Sequence, residues 1–165
     1  MILFKNLDIC SKIKIKIYSI DIYNFYLYQS TIHTTFKMPM PNSKHKNTGV
    51  KMMLLVNMSL KMKSGKIGAQ CGHATIGVYE QIFGKKKYEK MIDDWKSNGQ
   101  KKICAKLKDD GEMNLIISKL VDNGIAHYTV VDAGRTQVKS GSRTVLAVID
   151  YENKLNQITN NLKLL

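Results

Sequence analysis

The stretch VKMMLLVNMSLKMKSGKIGAQCGHA, residues 50–74, carries the strongest fold signal in the sequence. Residues 50–58 form an almost continuous apolar run, which is typical of a strand covered on both faces. A basic loop follows, and residues 64–83 then have the pattern of a helix, with Ser64 as its predicted N-cap. A buried strand that leads directly into a helix favours the α/β class.

Strand and helix patterns keep alternating after this unit. Strands are predicted at residues 101–108, 125–132 and 143–150, and helices at residues 88–96, 109–124 and 152–162. This alternation predicts an α/β domain with a mostly parallel sheet and helices on both faces.

Residues 1–49 differ from the rest of the chain in composition. They are dominated by Ile, Lys, Tyr, Asn, Ser and Thr, and their only acidic residues are Asp8 and Asp21. Residues 13–17 alternate as a strand does, but no partner strand follows them. Both prolines of the chain lie in residues 38–49, which are typical of a linker. We therefore expect an N-terminal extension at residues 1–49 and a folded domain at residues 50–165.

Three interpretations of this extension stay open. Its scarcity of acids favours an organelle-targeting presequence, for a mitochondrion or plastid, although its lack of arginine opposes one. The second interpretation is a disordered or membrane-surface tail in a cytoplasmic protein. The third is that translation starts later, at Met38, Met40 or Met52, because Ile, Lys, Asn and Tyr are encoded by A/T-rich codons. The sequence contains no run of 18 apolar residues, so no membrane-spanning helix is predicted.

The charge of the chain predicts a polyanionic partner. There are 26 Lys and Arg residues against 13 Asp and Glu, which gives a net charge of +13. A phosphate backbone is the first expectation, an anionic membrane surface the second, and a lysine-rich solubility surface the alternative without a partner. Only Arg135 and Arg143 are arginine, and the other basic residues are lysine, whose mobile point charge suits phosphates. Contacts to a nucleic acid would therefore favour its phosphate backbone over its base edges. Three cysteines without a CxxC pair favour a reducing compartment.

The glycine-lysine loop is not a nucleotide-binding P-loop. Leu60 stands where that motif needs its first glycine, and Ile67 follows Lys66 where it needs Ser or Thr. What remains is a basic loop before a helix N-terminus, which attracts anions. Lys66, Gln70 and His73 then follow at helical spacing and share one face.

Alternatives exist for the other residues of this helix. Gly68 and Gly72 would weaken it, so we expect a close approach of the sheet or of a ligand there. His73 is open to a second interpretation, as a packed, hydrogen-bonded histidine at the helix–sheet boundary. Cys71 and His73 point away from each other on a helix, so no metal site is predicted.

A second chemical stretch is VVDAGRTQVKSGSRTVL, residues 130–146. Asp132 ends a predicted strand, and ligands of α/β sheets bind where strands end. Asp132 could instead form an Asx turn, with an ordinary hairpin tip at Gly141. Together with a lysine, Asp132 and Thr136 could position water or activate a hydroxyl for attack on an ester.

LKMKSGKIGAQCGHA and DAGRTQVKSGSRTVL together resemble the two signature regions of the type II, archaeal and eukaryotic, peptidyl-tRNA hydrolases. The similarity runs from residue 51 to about residue 162. It implies an enzyme that hydrolyses the ester between peptide and tRNA, which releases both and recycles tRNA from aborted translation. It also implies a compact three-layer α/β domain with a four-stranded mixed sheet flanked by helices, a homodimer, and no cofactor.

The resemblance implies catalytic roles for Lys66, Asp132 and Thr136, and leaves open whether Thr136 attacks or only donates a hydrogen bond. Contacts to the acceptor end of tRNA are expected from Gln70, His73, Arg135, Thr144, Lys61, Lys63, Lys139 and Arg143, and phosphate contacts also from Lys101 and Lys102.

The first signature departs from the family pattern. Asn57 replaces an arginine, Ser59 an aspartate and Lys63 a glycine. Both members of a charge pair are replaced by neutral residues, so we expect altered loop rigidity or substrate preference, with activity kept. The alternative is an adaptor that binds RNA or protein on the same fold without catalysis.

Overall fold

The computed structural model describes residues 49–165. The predicted strand at residues 13–17, the linker and all interpretations of the extension lie outside these residues, apart from Gly49. The helices and strands are β1 (Val50–Asn57), α1 (Ser64–Ile82), α2 (Glu89–Ser97), β2 (Lys102–Leu107), α3 (Asp110–Asp122), β3 (Ala126–Val131), β4 (Arg143–Tyr151) and α4 (Glu152–Thr159). Short 3₁₀ helices lie at Met58–Leu60 and Lys86–Tyr88.

The four strands form one mixed sheet in the order β2-β1-β4-β3. β1 and β2 are parallel, whereas β4 is antiparallel to both of its neighbours. The mixed sheet implied by the resemblance is confirmed, and the mostly parallel sheet predicted from alternation is wrong. The reason is that no helix separates β3 from β4, so the chain turns back beside β3.

This topology gives the sheet one chemically distinct edge. Because β4 is antiparallel to β1 and β3, strands β1, β2 and β3 all point the same way. They end together, after Asn57, Leu107 and Val131, at an edge that we call the carboxyl edge.

Helices cover both faces of the sheet, as expected. Val50, Met52, Leu54 and Val56 of β1 pack with α1 and α2, and the residues between them pack with α3 and α4. All of β1 is buried, as its apolar run predicted. Shortening such a side chain, for example Leu55 to Ala, costs about 2–5 kcal/mol of stability. No helix within residues 49–165 is long and apolar enough to cross a membrane.

The helix ends differ in how well the sequence predicted them. In α3, Asp109 accepts a hydrogen bond from the Glu112 amide at 3.0 Å, and Gly124 follows the helix with φ +63°. In α1, the N-cap is Lys63, which provides no side-chain hydrogen bond, and Ser64 is the first helical residue. The predicted Ser64 cap is therefore wrong, and the first amides of α1 lack a side-chain cap.

The tight packing of α1 on the sheet occurs at a different glycine from those predicted. No atom lies within 4 Å of a Cβ built on Gly68 or Gly72, so the expected approach of the sheet to them is wrong. A Cβ on Gly77 would lie 2.3 Å from the Tyr128 ring. Only glycine lets β3 bring this ring against the helix.

Candidate active site

The two signature stretches meet at an ion pair between Lys66 and Asp132. Lys66 lies in the first turn of α1, and Asp132 directly follows β3, at the carboxyl edge. Their side chains are only 11% and 6% exposed. Water screens such a buried pair far less than a surface pair, so its geometry is held firmly.

A buried chain of hydrogen bonds extends from this ion pair. Gln70 Nε2 donates to Asp132 Oδ2 at 3.1 Å, and Thr144 Oγ1 donates to Gln70 Oε1 at 2.5 Å. Thr144 is fully buried and Gln70 is 5% exposed. Because the hydroxyl of Thr144 satisfies the amide oxygen, the NH₂ group of Gln70 faces Asp132.

The electrostatic surroundings keep Asp132 ionised. Its hydrogen bond from Lys66, followed by the one from the Gly134 amide to Oδ1 at 2.8 Å, holds the pKa of Asp132 below its usual range. A carboxylate has about four acceptor positions. Lys66, Gln70 and Gly134 occupy three of them, which leaves one position on Oδ1.

The loop after Asp132 is tightly closed. The hydrogen bond from the Gly134 amide to Asp132 Oδ1 makes the Asx turn that was the alternative interpretation of this residue. The Asp132 amide donates to Ser142 O and the Gly141 amide donates to Asp132 O, both at 2.9 Å. Gly134 has φ +76°, and a Cβ there would lie 2.5 Å from the Ser140 nitrogen. The turn therefore positions Asp132 for the ion pair, so the two interpretations of this residue are compatible.

An open cavity of about 490 Å³ lies beside the ion pair. The predicted residues that line it are Lys66, Gln70, His73, Asp132, Arg135 and Thr136. His73 is exposed, so its interpretation as a packed histidine at the helix–sheet boundary is wrong. The face shared by Lys66, Gln70 and His73 is confirmed as one wall of this cavity.

Six further side chains line the cavity and were not predicted from the sequence: Ile76, Glu80, Tyr128, Val130, Val131 and Ala133. Glu80 lies one helical repeat beyond His73, so extending the same face of α1 would have predicted it. Ile76 and Val131 are 59% and 60% exposed, although both are apolar. They give the cavity exposed apolar surface beside its charged groups.

The remaining predicted residues lie outside the cavity lining. Thr144 lies behind Gln70, and exposed Lys61, Lys63 and Lys139 lie in the loops of the carboxyl edge. The Lys63 amide donates to Gln137 Oε1 at 3.0 Å, which joins the two signature loops.

The other predicted phosphate contacts have partners within the protein. Arg143 is bound to Asp110 and Asn114, at 3.0 and 2.7 Å. Lys101 pairs with Glu152 at 2.5 Å, and Lys102 lies over the Trp95 ring, at the sheet edge opposite to Asp132.

The neutral replacements at the start of the first loop form a connected group. Asn57 is fully buried, and its Oδ1 accepts hydrogen bonds from the Ser59 amide at 3.1 Å and the Ser59 hydroxyl at 2.7 Å. Its Nδ2 donates to Arg143 O at 3.1 Å. The loop thus keeps a polar connection to β4 without a charge pair.

Cys71 follows Gln70 but is unsuited to nucleophilic attack. Burial, followed by the neighbouring Cys104, raises the pKa of the Cys71 thiol to about 12. The thiolate, which is the reactive form, is therefore scarce near neutral pH. Within residues 49–165, no group of three His, Cys, Asp or Glu side chains is arranged to hold a metal ion.

Comparison with known proteins gives a family match that coincides with the folded domain. The profile of the family "Peptidyl-tRNA hydrolase PTH2" matches residues 50–165. A relative from Caenorhabditis elegans, "Probable peptidyl-tRNA hydrolase 2", is 43% identical over 115 residues, which are 70% of this chain and 36% of the relative. The human "Peptidyl-tRNA hydrolase 2, mitochondrial" is 35% identical over 69% of this chain and 63% of its own length.

Archaeal relatives match over their whole length. The "Peptidyl-tRNA hydrolase" of Methanothermobacter thermautotrophicus is 37% identical over 117 residues, which are 70% of this chain and 100% of the relative. The chain thus spans 36% of the nematode relative and 63% of the human one, but all of this archaeal protein.

Proposed function

The chain belongs to the peptidyl-tRNA hydrolase PTH2 family, and from that premise we propose that it hydrolyses the ester bond of peptidyl-tRNA, releasing peptide and free tRNA. The observation that carries this proposal is the buried ion pair of Lys66 and Asp132, held by Gln70 and Thr144 beside an open cavity. An adaptor without catalysis would not need such a network, because buried polar groups are costly unless every member is satisfied.

Lys66 supplies the positive charge for the reaction. An ammonium group has three donors, of which one is directed at Asp132. The other two can reach the carbonyl oxygen of an ester in the cavity. As water attacks, this oxygen becomes negative, and the fixed charge of the largely buried Lys66 stabilises it.

Asp132 orients the attacking water. Its free acceptor position on Oδ1 can take one hydrogen bond from that water. Because the pKa of Asp132 lies below its usual range, the carboxylate is a weak base and acts mainly by positioning. The water oxygen bonds to the carbonyl carbon and the bond to the ribose oxygen breaks. A proton of the attacking water passes to that oxygen, which leaves as a hydroxyl.

We assign Thr136 a hydrogen-bonding role at the wall of the cavity. Attack by its hydroxyl would need a base to remove the proton, and the one acceptor position of Asp132 that Lys66, Gln70 and Gly134 leave free is assigned to the attacking water. Mass spectrometry of rapidly quenched turnover tests this role. A covalent peptidyl adduct on Thr136 would contradict it.

The negatively charged 3′ end of the tRNA would be attracted by the start of α1. The helix begins without a side-chain cap or an acidic residue in its first turn, so its free amides and dipole favour an anion. Lys61, Lys63, Arg135 and Lys139 lie in the adjacent loops and support the same interaction.

Release of labelled peptide from N-acetyl-aminoacyl-tRNA tests the proposed function. The wild-type chain should release the peptide in repeated turnovers. The variant Lys66→Ala should bind tRNA with unchanged affinity but release peptide at least about 10³-fold more slowly. Binding of tRNA by the wild-type chain without any release would support the adaptor alternative.

We also propose that residues 50–165 suffice for catalysis and that the protein is a homodimer. The start of the family match at residue 50 supports the first point. It is tested by comparing kcat of the full chain with that of residues 50–165, and the dimer is tested by light scattering. The name of the human relative is consistent with an organellar location and the archaeal relatives with a cytoplasmic one, and imaging of the tagged full chain would decide between them.

A further inference from the structure

A second cleft, of about 480 Å³, opens at the carboxyl edge beside β2. Lys106 and Lys108 of the β2 region and Lys163 of the C-terminal segment line it, together with Met58 and Leu162. We call it the lysine cleft. None of these lysines lies in the signature stretches.

Two of these lysines lie opposite each other where the C-terminal segment pairs with β2 through an isolated bridge. The Lys106 amide donates to Lys163 O at 2.8 Å, and the neighbouring Ala105 forms an antiparallel bridge with Leu164. Lys106 and Lys163 are therefore directly opposite. Like charges in this arrangement repel each other, and an anion between them would turn the repulsion into attraction.

The ammonium groups of the lysine cleft form no ion pair within the described part of the chain. Among residues 49–165, no carboxylate lies within ion-pairing distance of the ammonium groups of Lys106, Lys108 and Lys163. Glu112 also lines the cleft, where its Oε2 accepts a hydrogen bond from the Lys108 amide at 2.5 Å, so three lysines share the cleft with one carboxylate. The lysine cleft thus differs from Arg143, whose charge is bound by Asp110.

The lysine cleft lies within reach of a ligand bound in the catalytic cavity. Lys108 and Asp132 follow strands β2 and β3, which are separated by three strand spacings, or about 14 Å, along the carboxyl edge. Lys106 is in register with Val56, whose side chain packs on the same face of the sheet as α1. Lys106 and Lys66 are therefore on the same side of the sheet.

We propose that the lysine cleft binds the phosphate backbone of the tRNA acceptor stem while the 3′ end occupies the catalytic cavity. The inference rests on the proposed function, since it takes the substrate to be tRNA. The paired stem directly precedes the unpaired 3′ end, so it must lie a short distance from the reacting ester. Lysines are mobile point charges, which suit phosphates and read no base sequence.

The test compares two triple variants of the full chain that lose the same charge. The first is Lys106→Ala, Lys108→Ala and Lys163→Ala. The control is Lys85→Ala, Lys86→Ala and Lys87→Ala, which lie beyond the far end of α1, a helix about 28 Å long. The substrates are N-acetyl-aminoacyl-tRNA and N-acetyl-aminoacyl-adenosine, which has the same ester but no stem.

The cleft variant should raise KM for the tRNA substrate about tenfold and reduce the dependence of log KM on log salt concentration by about 2 to 3. Its kcat, and its kcat/KM for the adenosine ester, should stay within about twofold of the wild type, because the contact lies outside the site of chemistry. The control variant should change KM for tRNA by less than about threefold.

Three results would overturn the inference: no rise in KM for tRNA, an equal rise in the control variant, or an equal loss with the adenosine ester. If the wild type cleaves neither substrate, the proposed function fails, and binding of deacylated tRNA by the two variants still decides the inference. Selective loss of binding to phosphatidylserine vesicles, with tRNA binding intact, would assign the lysine cleft to a membrane instead.

Discussion

The cavity that we propose to be catalytic and the lysine cleft lie at the same edge of the sheet but hold positive charge in opposite ways. Lys66 is 11% exposed and is paired with a carboxylate that accepts two further hydrogen bonds. Lys106 and Lys163 are exposed and lie opposite each other without a carboxylate within ion-pairing distance among residues 49–165.

This difference distinguishes two roles of lysine in a basic protein, stabilisation of a transition state and binding of a polyanion. A buried lysine that is held by an ion pair has a fixed position, so its charge can act on a transition state without reorganisation. Exposed lysines keep their mobility and are screened by salt, so they contribute to encounter and affinity. Changes in the catalytic cavity should therefore alter kcat, whereas changes in the lysine cleft should alter KM.

Asp132→Asn should have the largest effect. The substitution keeps the shape of the side chain but removes the charge that pairs with Lys66, so kcat should fall about 10³-fold or more. Single-turnover release of peptide measures this effect. The dissociation constant for tRNA should stay within about twofold, and a kcat within tenfold of the wild type would show that Asp132 is not needed for the reaction.

Thr144→Val should reduce kcat by about tenfold, because the Gln70 amide loses the hydroxyl that fixes its orientation toward Asp132. The buried oxygen of Gln70 is left without its donor, which should also lower the free energy of unfolding by about 1–3 kcal/mol.

Thr159→Val is a matched control for Thr144→Val. Thr159 is also buried, but its hydroxyl donates to Leu155 O within α4, on the other face of the sheet. The variant Thr159→Val should lower the free energy of unfolding while leaving kcat unchanged. Equal losses of kcat in the two variants would mean that Thr144 acts only through stability.

The ion pair should also make stability depend on pH at the acid end. The pKa of Asp132 in the folded protein is below its ordinary value of 3.8. The stability that its ionised form contributes is therefore complete above about pH 4 and is lost as pH falls through the lower, folded pKa. Urea unfolding of wild type and Asp132→Asn should differ at pH 6 and converge toward about pH 2. A difference that stays constant over this range would contradict this account.

Asn57→Ala should have a smaller effect on catalysis than Thr144→Val. It removes three hydrogen bonds from a buried group at the start of the first loop, so stability should fall by about 1–3 kcal/mol. The kcat should change less than about threefold, since Asn57 does not line the cavity. Ser59→Ala, which removes only the hydroxyl contact, should be milder in both measurements.

The sequence predicted those features that are local or that belong to a motif. The apolar run of β1 indicated a strand covered on both faces, and the helical spacing of Lys66, Gln70 and His73 indicated one wall of the cavity. The order of strands was not predictable from alternation, because the chain pattern does not record that β4 inserts between β1 and β3.

The partners of individual charges were likewise beyond the sequence. Arg143 and Lys106 are both basic residues near the carboxyl edge, but only the folded chain brings Asp110 to the first and Lys163 to the second. Glu80 is different, since continuing the helical face of Lys66 would have placed it at the cavity without a structure.

The most direct test is a double-mutant cycle on ester hydrolysis by the full chain. Single-turnover rates for N-acetyl-aminoacyl-tRNA would be measured for the wild type, Lys66→Ala, Asp132→Asn and the double variant. If the two groups act as a unit, each single variant loses at least about 10³-fold and the double variant is no slower than the slower single variant. Single variants that retain the wild-type rate, or losses that multiply in the double variant, would contradict the ion pair as the catalytic centre.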